Sequence, residues 1–193
     1  LSVAVEGAGG AATSVRSIRS DAAGRFELVD LVPGRYLVRV SASFPGWYFK
    51  SAVWSGVDMA DTPLDVAGNY ADDVVVTFSD RPTRVSGTVR DIRGIPVSGA
   101  TVIVLPPAAR GPDPRRMREA RADVNGQFGI EGLPPGDYDI VAIDDRAADG
   151  WQDPRRLEAL RRLGTHVSLR DAEKKALDLR LGKTVSGLVF GQE

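Results

Sequence analysis

The chain repeats itself, and the repeat limits its architecture more than any other feature. Asp21, Gly24, Phe26, Leu28, Leu31, Pro33, Gly34, Tyr36 and Val38 return as Asp123, Gly126, Phe128, Ile130, Leu133, Pro135, Gly136, Tyr138 and Ile140, displaced by 102 positions without a gap. A second echo joins Val85–Val89 to Val185–Val189 at a displacement of 100. Two echoes at nearly one spacing indicate tandem modules with a period near 100 residues. The boundaries expected are a first module over 1–82, a second over 83–182, and 183–193 as the start of a further repeat or an extra paired strand. The first module lacks an opening strand like Arg84–Val89, and the opening Leu1–Val5 reads as part of a strand. The chain therefore reads as a window on a longer array, in which Thr184–Phe190 pairs with a sheet edge of its own chain or of a neighbour.

Each repeated residue has a folding role. In Asp-x-x-Gly-x-Phe the Asp side chain bonds backbone two residues on, and Gly supplies the left-handed position of a tight turn. Phe26 and Leu28, like Phe128 and Ile130, then alternate as one face of a short strand. Leu-x-Pro-Gly is a second turn, in which Pro presets φ. Tyr36, Val38 and Val40 alternate after it, as do Tyr138, Ile140 and Ala142. The second module adds strands over Arg84–Val89 and Thr101–Leu105. Short strands punctuated every 8–12 residues indicate a sandwich or barrel. The fold class expected is all-β, with two tandem antiparallel Ig-like or prealbumin-like β-sandwiches and one short helix in the second.

That helix has its own signals. Asp153 is the N-cap, Pro154 the first helical residue and Gly164 the terminator, with Leu157, Leu160 and Leu163 on one side. It is expected to lie across a sandwich edge with Trp151 beside it. In the first module Ser55–Asn69 reads as loop, and strand resumes at Val74–Phe78, matched by Ala176–Leu181.

Composition leaves little scope for catalysis. With no cysteine and one histidine, thiolate sites and multi-histidine metal sites are excluded. A net charge of −1 gives no field favouring nucleic acid or an anionic membrane. No apolar run reaches the ~20 residues of a membrane helix. A Ser-His-Asp triad would need His166, which sits at a strand start with no nucleophile elbow in the chain. The acids Asp144, Asp145, Asp149 and Asp153, and Asp58, Asp61 and Asp65, lack calcium-loop spacing. They read as solvated loop acids, with a structural calcium ion as the alternative and no other cofactor. Arginines at 110–121 and 155–162 are interrupted by Asp113, Glu119 and Glu158, and read as solvated surface. The one aromatic concentration is Phe44–Phe49 with Trp54 beyond it. Trp47, Tyr48 and Trp54 are the candidate ligand-binding residues, since flat rings stack on sugars; packing in the core is the competing reading.

The blocks Ser86–Val102, Ala122–Phe128 and Gly132–Tyr138, in this order, resemble the carboxypeptidase regulatory-like domain, one of the prealbumin-like and starch-binding-like β-sandwiches. The resemblance covers 84–143 well, and 144–182 fits as closing strands. It implies a non-catalytic accessory module of extracytoplasmic bacterial proteins, often in tandem, and no active-site residues. The function expected is structural: spacing or presenting neighbouring domains of a secreted, periplasmic or cell-surface protein. The alternatives are a carbohydrate-binding module and an accessory domain of a peptidase. The partners expected are neighbouring domains, other proteins or glycans, without nucleic acid.

Overall fold

The computed structural model describes residues 2–7, 16–27, 32–41, 46–66, 74–108 and 115–182. Their contacts fall into two compact units, Leu1–Arg81 and Pro82–Glu193. The expected strand at 184–190 and the recurrence of the Val85–Val89 pattern lie outside the described residues.

The first unit contains β1 (Ser2–Gly7), β2 (Arg16–Arg19), β3 (Gly34–Ser41), β4 (Tyr48–Trp54), β5 (Val57–Asp58), β6 (Leu64–Val66) and β7 (Val75–Ser79). They form two antiparallel sheets, ordered β2-β1-β3-β6 and β5-β4-β7. Strand side chains alternate between faces, so Val3 and Val5 of β1 and Tyr36 and Val38 of β3 point one way. They bury against Ala52 of β4, with Met59 and Val66, in a core drawn from both sheets. Phe49, Trp54 and Val76 pack on this core from the second sheet. The register between β4 and β7 shifts between Phe49 and Ser51, and this bulge returns Phe49 to the same face as Ala52.

Two expectations for this unit are corrected. Ser55–Asn69 contains the short strands β5 and β6. Asp58 makes the tight connection possible, because its carboxylate accepts from the Ala52 and Ala60 amides at 3.0 Å each. Conversely, the described part of the strand expected at Phe26 and Leu28 (Arg25–Glu27) is not strand, although Phe26 packs on the core; Leu28 lies outside the described residues. The equivalent segment of the second unit pairs with an opening strand, for which the described residues of the first unit show no counterpart.

The second unit contains β8 (Arg84–Arg90), β9 (Thr101–Leu105), β10 (Arg118–Arg121), β11 (Gln127–Glu131), β12 (Gly136–Ile143), α1 (Pro154–Leu163), β13 (Thr165–Leu169), β14 (Lys174–Ala176) and β15 (Leu179–Arg180). One sheet has the order β10-β9-β12-β13, matching β2-β1-β3-β6 strand for strand; the other is β11-β8-β14, with β15 also on β8. Between them lie Val85, Val89, Val102, Val104, Phe128, Ile130, Tyr138, Ile140, Val167 and Leu169. Most pairs are antiparallel, as expected. β14 and β15 instead run parallel to β8, because the strand that opens the unit and those that close it travel in one direction.

All five residues of β9 are buried. Val102 and Val104 face the sandwich core, while Ile103 and Leu105 face a second cluster with Val141, Ile143, Trp151, Leu157 and Leu160. The helix therefore covers the outer face of the sheet rather than an edge, which corrects the expected placement. Its caps are as the sequence indicates. Asp153 accepts from the Arg155 amide at 2.8 Å, Pro154 opens the first turn, and Gly164 follows the last. The Trp151 indole N–H donates to Glu119 at 2.7 Å, so its one polar atom is satisfied.

Candidate functional site

The repeated turns account for four of the nine shared positions. Asp123 Oδ1 accepts from the Asn125 and Gln127 amides, both at 2.8 Å. Its backbone N–H donates to Gln127 O at 2.8 Å, and the Gly126 amide donates to Asp123 O at 2.9 Å. Gly126 has φ +73°, which a side chain would disfavour. Asp21 builds the same frame with Ala23, Gly24 and Arg25, and Asp91 builds it a third time with Arg93, Gly94 and Ile95. Amide donation from Arg25 holds the Asp21 carboxyl below its ordinary value, and amide donation from Arg170 does so for Glu173.

The second repeated element is a tyrosine. Tyr36 Oη donates to Val32 O at 2.7 Å, and Tyr138 Oη donates to Pro134 O at 2.6 Å. Each ring fills the core while its hydroxyl closes the preceding Pro-Gly turn. Around Tyr138 sits a residue the sequence reading missed. Arg116, expected on a solvated surface, is only 4% exposed. Its guanidinium lies 5.9 Å from the Tyr138 ring centroid and donates from Nη1 to Tyr138 Oη and Pro135 O, both at 3.1 Å. An arginine can be buried where an aromatic face and carbonyl oxygens receive it. The guanidinium also lies against Gly136, where a Cβ would stand 2.9 Å from Arg116 Nη1, and nothing local in the sequence marks the arginine.

The chemistry-bearing residues do not converge on a reaction centre. His166 lies on β13 opposite Asp139 of β12, with Nδ1 3.2 Å from Asp139 Oδ1, and is exposed. Ser168, two residues on, donates to Asp137 rather than to the imidazole. Among the described residues no three His, Cys, Asp or Glu side chains are grouped to hold a metal ion. Asp144 caps a 3-10 turn by accepting from the Arg146 amide at 3.0 Å. Asp145 accepts from Arg121 at 2.6 Å and from Thr101 at 3.1 Å. Asp149 and Asp153 line an open depression with Arg155 and Arg156. In the first unit Asp58 braces β4, and Asp65 lies opposite Arg35.

The aromatic candidates divide between two faces. Trp47 is 51% exposed just before β4, and Tyr48 is half-buried. Tyr48, Ser51 and Val53 share the outer face of the sheet with their partners Ser79, Thr77 and Val75. Trp54 packs towards the core with Phe49. Trp47 and Tyr48 thus border an open sheet face, and Trp54 does not join them.

The sequence pattern of the carboxypeptidase regulatory-like domain matches residues 84–182, the β8–β15 sandwich with its helix. The chain belongs to that family. None of the curated proteins compared with the carboxypeptidase regulatory-like chain matches it. Among solved structures it is similar to a DUF3823 family protein from Parabacteroides merdae, at 13% identity over 52% of this chain and 46% of that one, with a TM-score of 0.34. It therefore spans less than half of that structure's length. It is also similar to the minor pilin of Streptococcus agalactiae, at 13% identity over 100% of this chain and 86% of the pilin, with a TM-score of 0.42. A putative carbohydrate binding protein from Pseudomonas aeruginosa is similar at 17% identity over 51% of this chain and 87% of that one, with a TM-score of 0.31. Among the described residues no helix is long and apolar enough to cross a membrane.

Proposed function

We propose that the chain is a non-catalytic structural and interaction module of a secreted or envelope-associated bacterial protein, and that it spaces or presents neighbouring domains. The observation that carries this reading is the path of the backbone through the second unit. The chain enters at Arg84, the first residue of β8, and passes Arg180 on the parallel strand β15, paired with the last residue of β8. Entry and exit therefore lie at opposite ends of one sheet, the arrangement a spacer needs. The repeated residues support the same reading, since Asp21, Asp91 and Asp123 serve turns, and Tyr36 and Tyr138 serve the core.

The test is incubation with peptide, ester and glycoside substrates, for which no turnover is expected. Reproducible hydrolysis that disappears in His166→Ala, or in a variant of the acids at 144–153, overturns the reading.

A second reading, carbohydrate binding, is favoured by the exposed Trp47 ring beside Tyr48 and the hydroxyls of Ser51 and Thr77. Calorimetric titration with polysaccharides tests it. Saturable heat that vanishes in Trp47→Ala supports it, and no heat with any polysaccharide removes it.

A further inference from the structure

The manner in which the second unit closes points to a mechanical property, and the inference rests on the spacer reading above. We propose that the second unit is a load-bearing link, with the parallel contact between β8 and the β14–β15 segment acting as a clamp loaded in shear. Register pairs run Lys174 with Arg84, Lys175 with Val85 and Ala176 with Ser86, then Leu179 with Val89 and Arg180 with Arg90. Bonds span the whole length of this contact. The Arg84 amide donates to Glu173 O at 2.8 Å, and the Leu177 amide to Ser86 O at 2.9 Å. The Thr88 amide donates to Asp178 Oδ1 at 3.0 Å, and the Leu181 amide to Arg90 O at 2.8 Å.

Tension applied before Arg84 and after Gly182 pulls β8 and β15 past one another along their common axis. In that direction every bond of the contact stretches together, so none can break before the rest are strained. Two details oppose sliding. The Leu177 carbonyl lies directly over Gly87, filling the space where a Cβ would be, so the backbones interlock at that point. Beyond the ladder the Gly182 amide donates to Ala142 O at 2.8 Å, fastening the exit to the opposite sheet. Force applied across the contact from one end instead would open the same bonds one after another. Forced unfolding is governed by the barrier to unfolding, so direction changes resistance while stability stays the same.

The chain has no cysteine, so cysteines introduced in pairs give unique handles on the whole chain. Arg81→Cys with Arg180→Cys, at the exposed far end of β15, loads the clamp in shear. Arg81→Cys with Asp171→Cys pulls apart the adjacent starts of β8 and β14, peeling the same bonds. Single-molecule stretching at one loading rate is expected to give at least a twofold higher rupture force in shear. An extension of about 330 Å in shear, and of about 300 Å between the handles at 81 and 171, identifies this unit. Asp178→Ala, which removes the bond to Thr88 near the far end, is expected to lower the shear force and leave the peeling force unchanged. Equal forces in the two directions, or an unaltered shear force in Asp178→Ala, overturn the proposal. Neither result touches the absence of turnover on which the spacer reading is tested, so the two can fail separately.

Discussion

The Tyr138 hydroxyl donates to the Pro134 carbonyl at 2.6 Å, four residues upstream in the same chain. The bond turns a ring that fills the core into a latch on the turn leading to β12, and Arg116 bonds to the same hydroxyl oxygen. Removal of the oxygen leaves the Pro134 carbonyl without this donor and the buried guanidinium without one acceptor. Tyr138→Phe is expected to destabilise the second unit by about 1–3 kcal/mol. Among the described residues no arginine bonds to the Tyr36 hydroxyl, so Tyr36→Phe is expected to cost about 1 kcal/mol in the first unit. Denaturant unfolding of each variant measures the difference, and equal costs would show that Arg116 contributes nothing through this hydroxyl.

Gly87 lies under the Leu177 carbonyl, where any side chain meets backbone that cannot rotate away. Gly87→Ala is expected to destabilise the second unit by at least ~3 kcal/mol, as a severe steric insertion does. Gly129→Ala serves as the control on β11, since its new methyl would meet only the flexible Arg84 guanidinium at 3.8 Å. That control is expected within ~0.5 kcal/mol of the parent. Thermal unfolding followed by circular dichroism separates the two.

The outer layer of the second unit depends on a few apolar contacts. Leu157 and Leu160 are the buried residues of α1 and meet Ile103, Leu105 and Trp151. Leu160→Ala is expected to cost about 2–4 kcal/mol through lost burial and the cavity left behind. Leu163, on the same helix but 45% exposed, is expected to lose less than ~1 kcal/mol on the same change. Similar losses at 160 and 163, read from chemical denaturation, would contradict the placement of the helix over the sheet.

Acid is expected to weaken both units through defined carboxylates. Backbone donation from Arg25 depresses the folded-state pKa of Asp21, and donation from Arg170 depresses that of Glu173. A depressed folded value contributes stability above the unfolded value, near pH 4, and the contribution is lost as pH falls through the folded value. Asp21→Asn is therefore expected to destabilise the protein at pH 6 and to differ less from the parent at pH 3. A difference that stays constant between those two pH values would remove Asp21 from the acid response.

Legibility of the fold in the sequence followed the range of the interactions. Local chemistry was readable: Asp153 and Pro154 marked the helix, and Asp123 with Gly126 marked a turn whose hydrogen bonds lie within five residues. Interactions between distant segments were harder to read. Phe26 and Leu28 carry the same alternation as Phe128 and Ile130, yet a strand needs a partner, and among the described residues no counterpart of β8 lies beside residues 25–27. The run Thr101–Leu105 read as a strand, but nothing local indicated that α1 would cover its second face and bury all five residues. Arg116 sits among other arginines in sequence, and only the approach of Tyr138 from 22 positions away distinguishes it. Among the candidate rings, Trp47 and Trp54 look alike in sequence; the bulge after Phe49 and the pairing with β7 assign them to different surroundings.

The three five-residue turns fix their own shape through one aspartate and one glycine, and the two residues between these project into solvent. Those pairs are Ala22 and Ala23, Ile92 and Arg93, and Val124 and Asn125, all exposed. Beyond the amide that the second residue of each pair donates to the aspartate, the fold asks little of what stands there, and the three copies already differ completely. Each turn is thus a mutational reservoir in a rigid frame, where new recognition can be acquired or foreign residues displayed while folding proceeds as before.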